Sequence, residues 1–441
     1  MRRLCLFLLF LGFSFNAYAI SLISDEETES YLHDILKPIF QAAQLPLSRD
    51  NVHIVKDDSL NAFVGDQNHM FVHTGTLLKA SNSNELEGVL AHETGHILGG
   101  HILRLKLKIQ DMQTATLASL IAAAGTAVAS GRGDAAIAVV LGTQSSAINA
   151  VTVYQMSEER AADETAVMLL QKNHKSIRGL KDFMGKIQST NRLQGIEETP
   201  YFRTHPVTTE RIAFFDDKLK TEPKLNSEYA MDERLKKIQA KLFAYLAPLS
   251  KVLSTYPMSD TSITGKIAHA VYYMRLKNLN MALKYCDELI ALEPNNPYFA
   301  ELKAQALYES GNIKDAVKAY KRTLDLMPQS DLFKLSYAEV VLADNPSRKT
   351  MEELIIMLEH ANRHQNHPLA YLYLGRIYAN MGDEATANYF AAEYNNAIGE
   401  ENLAQKMLQK ALKMPLRSDI KLRAKDLEAK LKREHKKNSL F

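Results

Sequence analysis

The chain has 441 residues, of which 46% are apolar and 24% charged, enough for two or three domains that each bury a core; this excludes a disordered or fibrous protein. A formal charge of +2 gives no reason to expect nucleic acid as a partner.

The chain begins M-R-R-L-C-L-F-L-L-F-L-G-F-S-F-N-A-Y-A, with two arginines, an apolar core from Leu4 to Phe15 and small residues at Ala17 and Ala19. That pattern predicts a secretory signal peptide over residues 1–19, cut after Ala19. Cys5 lies inside the apolar core, so cleavage leaves Cys286 alone and no intramolecular disulfide can form. An exported chain without disulfides fits a bacterial periplasm.

Residues 20–217 read as one domain. Tyr31, Ile35, Leu36, Ile39 and Phe40 stand at helical spacing between Asp25 and Gln44. Strands are expected at Val52–Val55, Leu60–Val64 and His69–Val72, the last two split by the turn signal G-D-Q-N. A helix then starts at Asn84, with Glu87 as its capping-box partner, and Leu86, Val89, Leu90, Ile97 and Leu98 line one broad face of it. Next comes an apolar helical hairpin, 112–157, in which Met112–Gly131 and Ala135–Ser157 hold no charged residue and G-R-G-D makes the turn. Its length would span a bilayer, but its Ala, Ser, Thr and Gly composition would insert only weakly. Packing on protein is the expectation and contact with a membrane surface the alternative.

Residues 218–261 read as a charged helical connector, and 262–416 as an array of repeats. Small residues at Ala270, Ala304, Ala338 and Gly375 are separated by 34, 34 and 37 residues. Gly311 and Gly382 sit seven past the second and fourth of them, and Ala282, Ala316 and Ala387 twelve past the first, second and fourth. Held in phase, this set identifies tetratricopeptide repeats, although N-P-S-R-K replaces the turn in the third. The remainder, 417–441, is a basic tail that carries eight Lys or Arg against three acids between Lys421 and Lys437. It reads as a solvated capping helix.

The chemistry is concentrated in A-H-E-T-G-H-I-L-G-G-H, from Ala91 to His101. On a helix, His92 and His96 stack one turn apart and can offer two imidazoles to one metal ion, with Glu93 beside them as the general base toward a water that zinc makes acidic. His101 is nine residues past His92, about 900° around a continuing helix, and so faces away from a metal at His92. Helix packing or a hydrogen bond to a ligand is its expected role. In the zinc peptidases with a glycine turn the third histidine would stand at position 102, which is Ile102. A better source for the third ligand is Y-Q-M-S-E-E-R-A-A-D-E, where Glu159 and Asp163 are four apart on one helix face. One of them can ligate while the other orients a ligand histidine through its ring N–H. Ala161 and Ala162 leave room for the two helices to approach.

H-E-T-G-H with His101 five residues on, E-R-A-A-D, and T-H-P-V-T-T-E-R-I at 204–212 occur in the order seen in the HtpX-type zinc peptidases. With a signal peptide in front and repeats behind, the chain resembles the periplasmic β-barrel assembly-enhancing protease family over nearly its whole mature length. The resemblance implies His92, His96 and Glu159 as ligands of one Zn2+ per chain, Glu93 as catalytic base and Asp163 as the orienting carboxylate. It also implies that His205 approaches the zinc, either occupying the water position as a fourth, regulatory ligand or assisting the transition state. The family's L-N-A-F segment is present at Leu60–Phe63, so Asn61, Ala62 and Phe63 would form an edge at which an extended substrate adds a strand. The chain departs from the family in having Gln155 and Met156 where S-R precedes the second motif.

The expected fold is thus an α+β zincin-type peptidase domain, mostly helical with a small sheet, followed by an all-α tetratricopeptide-repeat solenoid. The expected function is an exported zinc endopeptidase whose repeats recruit protein substrates and partners. By the resemblance, these partners include the outer-membrane β-barrel assembly machinery. A repeat-based chaperone or scaffold with a latent or structural zinc site is the alternative.

Overall fold

The computed structural model describes residues 21–65, 68–101, 103–105, 107–108, 110–111, 114, 155–194, 205–223, 229–363 and 367–438. The expected signal peptide lies outside the described residues, and so does the apolar hairpin apart from Thr114 and its last residues from Gln155.

Helix α1 (Glu26–Ala43) occupies the first amphipathic stretch. The Asp25 carboxylate accepts the backbone N–H of Thr28, and Glu26, Glu27 and Glu29 fill the first turn, where the helix dipole favours negative charge. Strands β1 (Leu22–Ile23), β2 (Val52–Val55), β3 (Ala62–Val64) and β4 (Met70–His73) form one sheet in the order β1-β2-β4-β3. The central pair β2 and β4 is parallel, with His53 opposite Phe71, and each edge strand pairs antiparallel. β3 and β4 are displaced by one or two residues from the expected bounds. Because side chains alternate along a strand, Val52, Ile54, Ala62, Val64, Met70 and Val72 share a buried inner face with the apolar side of α1. His53, Phe63, Phe71 and His73 share the outer face.

After α2 (Thr74–Lys79) comes α3 (Ser83–Gly99), whose cap differs from the expectation. The capping residue is Asn82, which accepts the backbone N–H of Glu85, and the Glu85 carboxylate accepts that of Ser81 at 3.0 Å. Asn84 lies inside the first turn. Its side chain accepts the N–H of Gly179 and donates to the carbonyl of Ser176, both at 2.8 Å, and so ties α3 to the start of the helix at Arg178–Gln194. Helices α4 (155–172), α5 (Arg178–Gln194) and α6 (Thr209–Leu219) complete this part of the chain.

The rest is helical. After α7 (Tyr229–Leu246) and α8 (Leu249–Thr255) come four pairs: α9 (Ile263–Arg275) with α10 (Leu279–Leu292), α11 (Pro297–Glu309) with α12 (Ile313–Leu326), α13 (Asp331–Ala343) with α14 (Arg348–Ala361), and α15 (Pro368–Asn380) with α16 (Glu384–Ala397). Helices α17 (Glu401–Leu412) and α18 (Ser418–Asn438) follow. Seven residues past each small marker residue the backbone is left-handed: φ is 57° at Lys277, 79° at Gly311, 50° at Asn345 and 82° at Gly382. The aberrant third repeat therefore turns at the same place as the others, with Asn345 in the role of glycine.

Helix α7 belongs to both halves. Leu235, Ile238 and Leu242 are part of the N-terminal core, while Ala240 and Ala244 are part of the core of the first repeat pair. Buried Lys241 pairs with Asp25 and Glu27 at 2.7 Å each, and Ser330 of the repeats donates to Glu26 at 2.5 Å. The first turn of α1 is thereby held against the array. Among the described residues no helix is long and apolar enough to cross a membrane.

Candidate metal centre

His92, Glu93 and His96 occupy the buried last turns of α3. The four-residue spacing brings His92 Nε2 and His96 Nε2 to 3.1 Å. Gly95 lies between them on the side that meets α4. A Cβ placed there would sit 2.8 Å from the Ala162 carbonyl oxygen and 2.9 Å from its Cα, so the two helices cross backbone against backbone. This crossing delivers Glu159, whose Oε1 is 3.2 Å from His96 Nε2 and whose Oε2 is 3.4 Å from His92 Nε2. Asp163, one turn later, places Oδ1 2.9 Å from His92 Nδ1. His205 arrives from the segment before α6, with Nδ1 2.8 Å from Glu159 Oε1 and 3.4 Å from His92 Nε2.

His101 reaches the site by another route than helical continuation. Gly100 takes φ 62° and ends α3, which voids the rotation argument. The His101 ring folds back over Gly99 and sets Nδ1 2.8 Å from His96 Nδ1 and Nε2 2.5 Å from Glu158. A Cβ at position 99 would lie 1.9 Å from that ring, so Gly99 is required for the close approach. Each motif histidine thus turns one nitrogen to a common point and has the other nitrogen held from behind, His92 by Asp163 and His96 by His101.

Sequence reasoning missed Arg211. Thr208 caps α6, and in the first turn Arg211 reaches Glu159 Oε2 at 2.8 Å, Asp163 at 2.6 and 2.8 Å, and the Pro206 carbonyl at 2.8 Å. The only signal was its place in T-H-P-V-T-T-E-R-I, six residues past His205.

Two features test whether these residues suit a metal. Four donors held tetrahedrally at ~2.1 Å from an ion stand about 3.4 Å apart. One ligand atom from each of His92, His96, Glu159 and His205 lies within 4.8 Å of the others, and the pairs above fall between 2.8 and 3.4 Å. The charges agree as well: with the ring nitrogens neutral as metal ligands, buried Glu93, Glu159 and Asp163 face the Arg211 guanidinium, and a divalent cation would offset the remaining negative charge. The residues fit.

The electrostatics follow from burial and these contacts. Burial pushes His96 down to about 3, outweighing Glu159, which leaves the neutral imidazole a ligand needs. Burial acts the same way on His92, but Asp163 and Glu159 outweigh it and raise the group to about 10. Glu159 and Asp163 resist the upward push of burial. Their contacts, chiefly with the His205 ring for the first and with the Arg211 guanidinium for the second, hold both below the usual carboxylate range. Glu93 is raised by burial, and both its oxygens are buried without a hydrogen-bond partner.

A cleft of about 400 Å³ opens beside this centre, lined by Asn61 and Phe63 of the sheet edge and by Glu93, His96, Glu159 and His205. The Ala62 side chain instead faces the core.

Residues 26–218 match the model of Peptidase family M48. Beta-barrel assembly-enhancing proteases of Yersinia pestis and Escherichia coli strain K12 are 21% identical over 331 residues and 20% over 323. These matches cover 70% and 69% of this chain and 64% and 63% of theirs. A protease HtpX homolog of Streptococcus agalactiae is 35% identical over 111 residues, 24% of this chain and 33% of that one. The chain spans 58–64% of the length of the beta-barrel assembly-enhancing proteases it matches.

Proposed function

With residues 26–218 carrying a domain of peptidase family M48, we propose that the chain is an exported zinc-dependent endopeptidase, latent at rest, that acts in the assembly or quality control of outer-membrane proteins. The observation that carries this reading is the cluster of His92, His96 and Glu159 beside a buried Glu93, whose carboxylate oxygens accept no hydrogen bond and whose Oε1 lies 3.7 Å from His205 Nε2, on a cleft bounded by a sheet edge.

In this reading His92, His96 and Glu159 hold one zinc ion. Asp163 and His101 fix the two imidazoles, and Arg211 fixes Glu159 and Asp163. A bound zinc ion supplies a Lewis acid that makes water acidic near neutral pH and polarises a peptide carbonyl. Glu93, raised by burial, accepts the proton of the attacking water and returns it to the leaving amine. Asn61, Ala62 and Phe63 on the β3 edge take up an extended substrate as an added strand. His205 would supply a fourth protein donor and so would fill the position that water or substrate needs. Activity therefore requires His205 to move.

The repeats recruit protein substrates or partners. The name of the curated relatives, beta-barrel assembly-enhancing protease, supports the assembly machinery of the outer membrane as the setting. A periplasmic location goes with that setting and with the signal peptide expected over residues 1–19.

The closed four-donor set equally favours a second reading, a scaffold in which the repeats do the work around a structural zinc. Metal analysis of the full chain, with hydrolysis of an unfolded protein followed for the unmodified, Glu93→Gln and His205→Ala chains, separates the two. The peptidase reading expects zinc in all three, no hydrolysis by Glu93→Gln and faster hydrolysis by His205→Ala. Unchanged hydrolysis by Glu93→Gln sinks the mechanism, zinc-loaded chains that never hydrolyse favour the scaffold, and absence of zinc from native protein removes both.

A further inference from the structure

The repeats meet the first turn of α1 and helix α7 around a cavity of about 620 Å³. Two kinds of side chain dominate its wall. Six are carboxylates: Asp25, Glu26 and Glu27 come from the start of α1, and Glu301, Glu309 and Glu339 from the repeats. Five are tyrosines, with Tyr245 on α7, Tyr298 and Tyr308 on α11, Tyr320 on α12 and Tyr373 on α15. Against this acidic, aromatic wall stand Lys56 and Lys241, and Lys241 is already committed to Asp25 and Glu27.

Most of these polar groups satisfy one another. Tyr308 donates to Glu339 at 3.2 Å, Tyr245 to Gln305 at 2.8 Å, and Gln305 to Glu309 at 2.8 Å. Glu301 and Tyr320 are left over. Glu301 makes no hydrogen bond or ion pair among the described residues, and burial pushes its carboxyl up to about 7 against the pull of Lys241. Tyr320 is 4% exposed, and its hydroxyl has no hydrogen-bond partner among the described residues. Burial pushes that phenol up, and Glu301 is the charge that adds most to the push, so the two open groups are neighbours. A buried carboxylate and a buried phenol oxygen without protein partners are costly, and a positively charged donor satisfies both.

We propose that this cavity is a docking site for a cationic side chain, arginine above all, carried on a segment of a protein partner. The proposal rests on the reading that the repeats recruit proteins, and it names the chemistry of what they recruit. A guanidinium offers several N–H donors and a flat face at once. Its N–H groups donate to the Glu301 carboxylate and to the Tyr320 hydroxyl oxygen, while tyrosine rings of the wall take the charge against their faces. The cavity has the volume of a site for a drug-sized ligand, more than one side chain fills, so a stretch of chain enters with the cation. Because α7 packs into the N-terminal core as well as the repeats, a segment seated here touches both halves of the molecule.

The test binds fluorescein-labelled nonapeptides of alanine and serine, carrying two arginines, two lysines or two glutamines, to the full chain with Glu93→Gln, so that hydrolysis does not interfere. Fluorescence anisotropy reads Kd. The arginine peptide is expected to bind about 10–100-fold tighter than the glutamine peptide, with the lysine peptide between them. Glu301→Gln brings that ratio towards one. Tyr320→Phe, which keeps the ring, weakens the arginine peptide about 2–10-fold. Glu352→Gln, an exposed acid on α14 away from the cavity, leaves the ratio unchanged and so controls for general charge attraction. Circular dichroism checks that each variant is folded, and either folded cavity variant decides. An arginine preference that survives Glu301→Gln, or that Glu352→Gln reduces as much, overturns the site and leaves recruitment by the repeats intact. Displacement of the arginine peptide by an equal concentration of spermidine overturns the protein segment as occupant in favour of a free polyamine. Peptides that do not bind at all overturn both the site and the recruitment reading.

Discussion

Replacing Arg211 by methionine removes the guanidinium from beneath the metal centre and keeps an unbranched side chain to fill the space. The Arg211 side chain is 7% exposed and contacts carboxylates that are 4% and 1% exposed, so solvent screens little of the loss. Breaking a buried ion pair from one side costs about 3–5 kcal/mol, because the orphaned charge stays behind. For a domain of this size about 1 kcal/mol moves Tm by roughly 2–4 °C, which gives a fall of about 6–20 °C in metal-free protein. Zinc, which binds only the folded chain and supplies positive charge to the same carboxylates, should shrink that fall. Its affinity should drop about 10–100-fold, as for other residues that hold a ligand from behind. Thermal unfolding by circular dichroism with chelator and with zinc measures the first two effects, and competition against a chromophoric chelator the third. A Tm within about 2 °C of the unmodified chain in chelator, together with unchanged zinc affinity, would show that Glu159 and Asp163 do not depend on Arg211.

Gly95→Val should force α4 away from α3, since even a Cβ at position 95 comes within 2.8 Å of the Ala162 carbonyl; zinc content after dialysis should fall, and retention of full zinc would contradict the close crossing. His101→Ala frees the outer nitrogen of His96 and should weaken zinc about 10–100-fold in chelator competition, with a smaller effect for Glu158→Gln, one step further out. Lys277→Gly relieves a left-handed backbone at φ 57° and should stabilise the chain by about 0.5–1 kcal/mol in urea unfolding; a loss of stability would count against strain there. Asp25 is pulled below its ordinary 3.8, because buried Lys241 outweighs the upward push of burial. A depressed carboxylate contributes stability above its unfolded value and loses it as pH falls through the folded one. Asp25→Asn should therefore lower the urea midpoint at pH 7 and the deficit should close below about pH 3.8; a deficit constant with pH would refute the linkage.

The parts of the site that were legible in the sequence are those set by helical geometry. His92 and His96 at a spacing of four, and Glu159 with Asp163 at the same spacing, need only the 3.6-residue period to share a face. Arg211 was invisible because its partners lie 48 and 52 positions away and no local pattern links α6 to α4. The α3 cap was misjudged for a different reason. Asn82 with Glu85 and Asn84 with Glu87 are two overlapping versions of one capping pattern, and only the docking of α5, which takes Asn84 for its own first turn, decides between them. At His101 the consecutive glycines 99 and 100 were the relevant signal. A left-handed Gly100 makes a count of degrees per residue meaningless beyond it. In the third repeat the loss of glycine hid a turn that Asn345 adopts without one.

Segments that join domains ordinarily absorb added or lost residues without harm, because slack in the chain takes up the difference. Helix α7 has no such slack. Its Leu235–Ile238–Leu242 stripe and its Ala240 and Ala244 stripe look in nearly opposite directions, each into a separate core. One residue inserted between Ile238 and Ala240 would turn everything beyond it by about 100° and slide it by about 1.5 Å. Lys241 would swing off Asp25 and Glu27, and the start of α1 would lose its seat on the array. The stretch that looked most like a passive spacer in the sequence is therefore indexed like a gear tooth, and single-residue insertions there should be among the least tolerated in the chain.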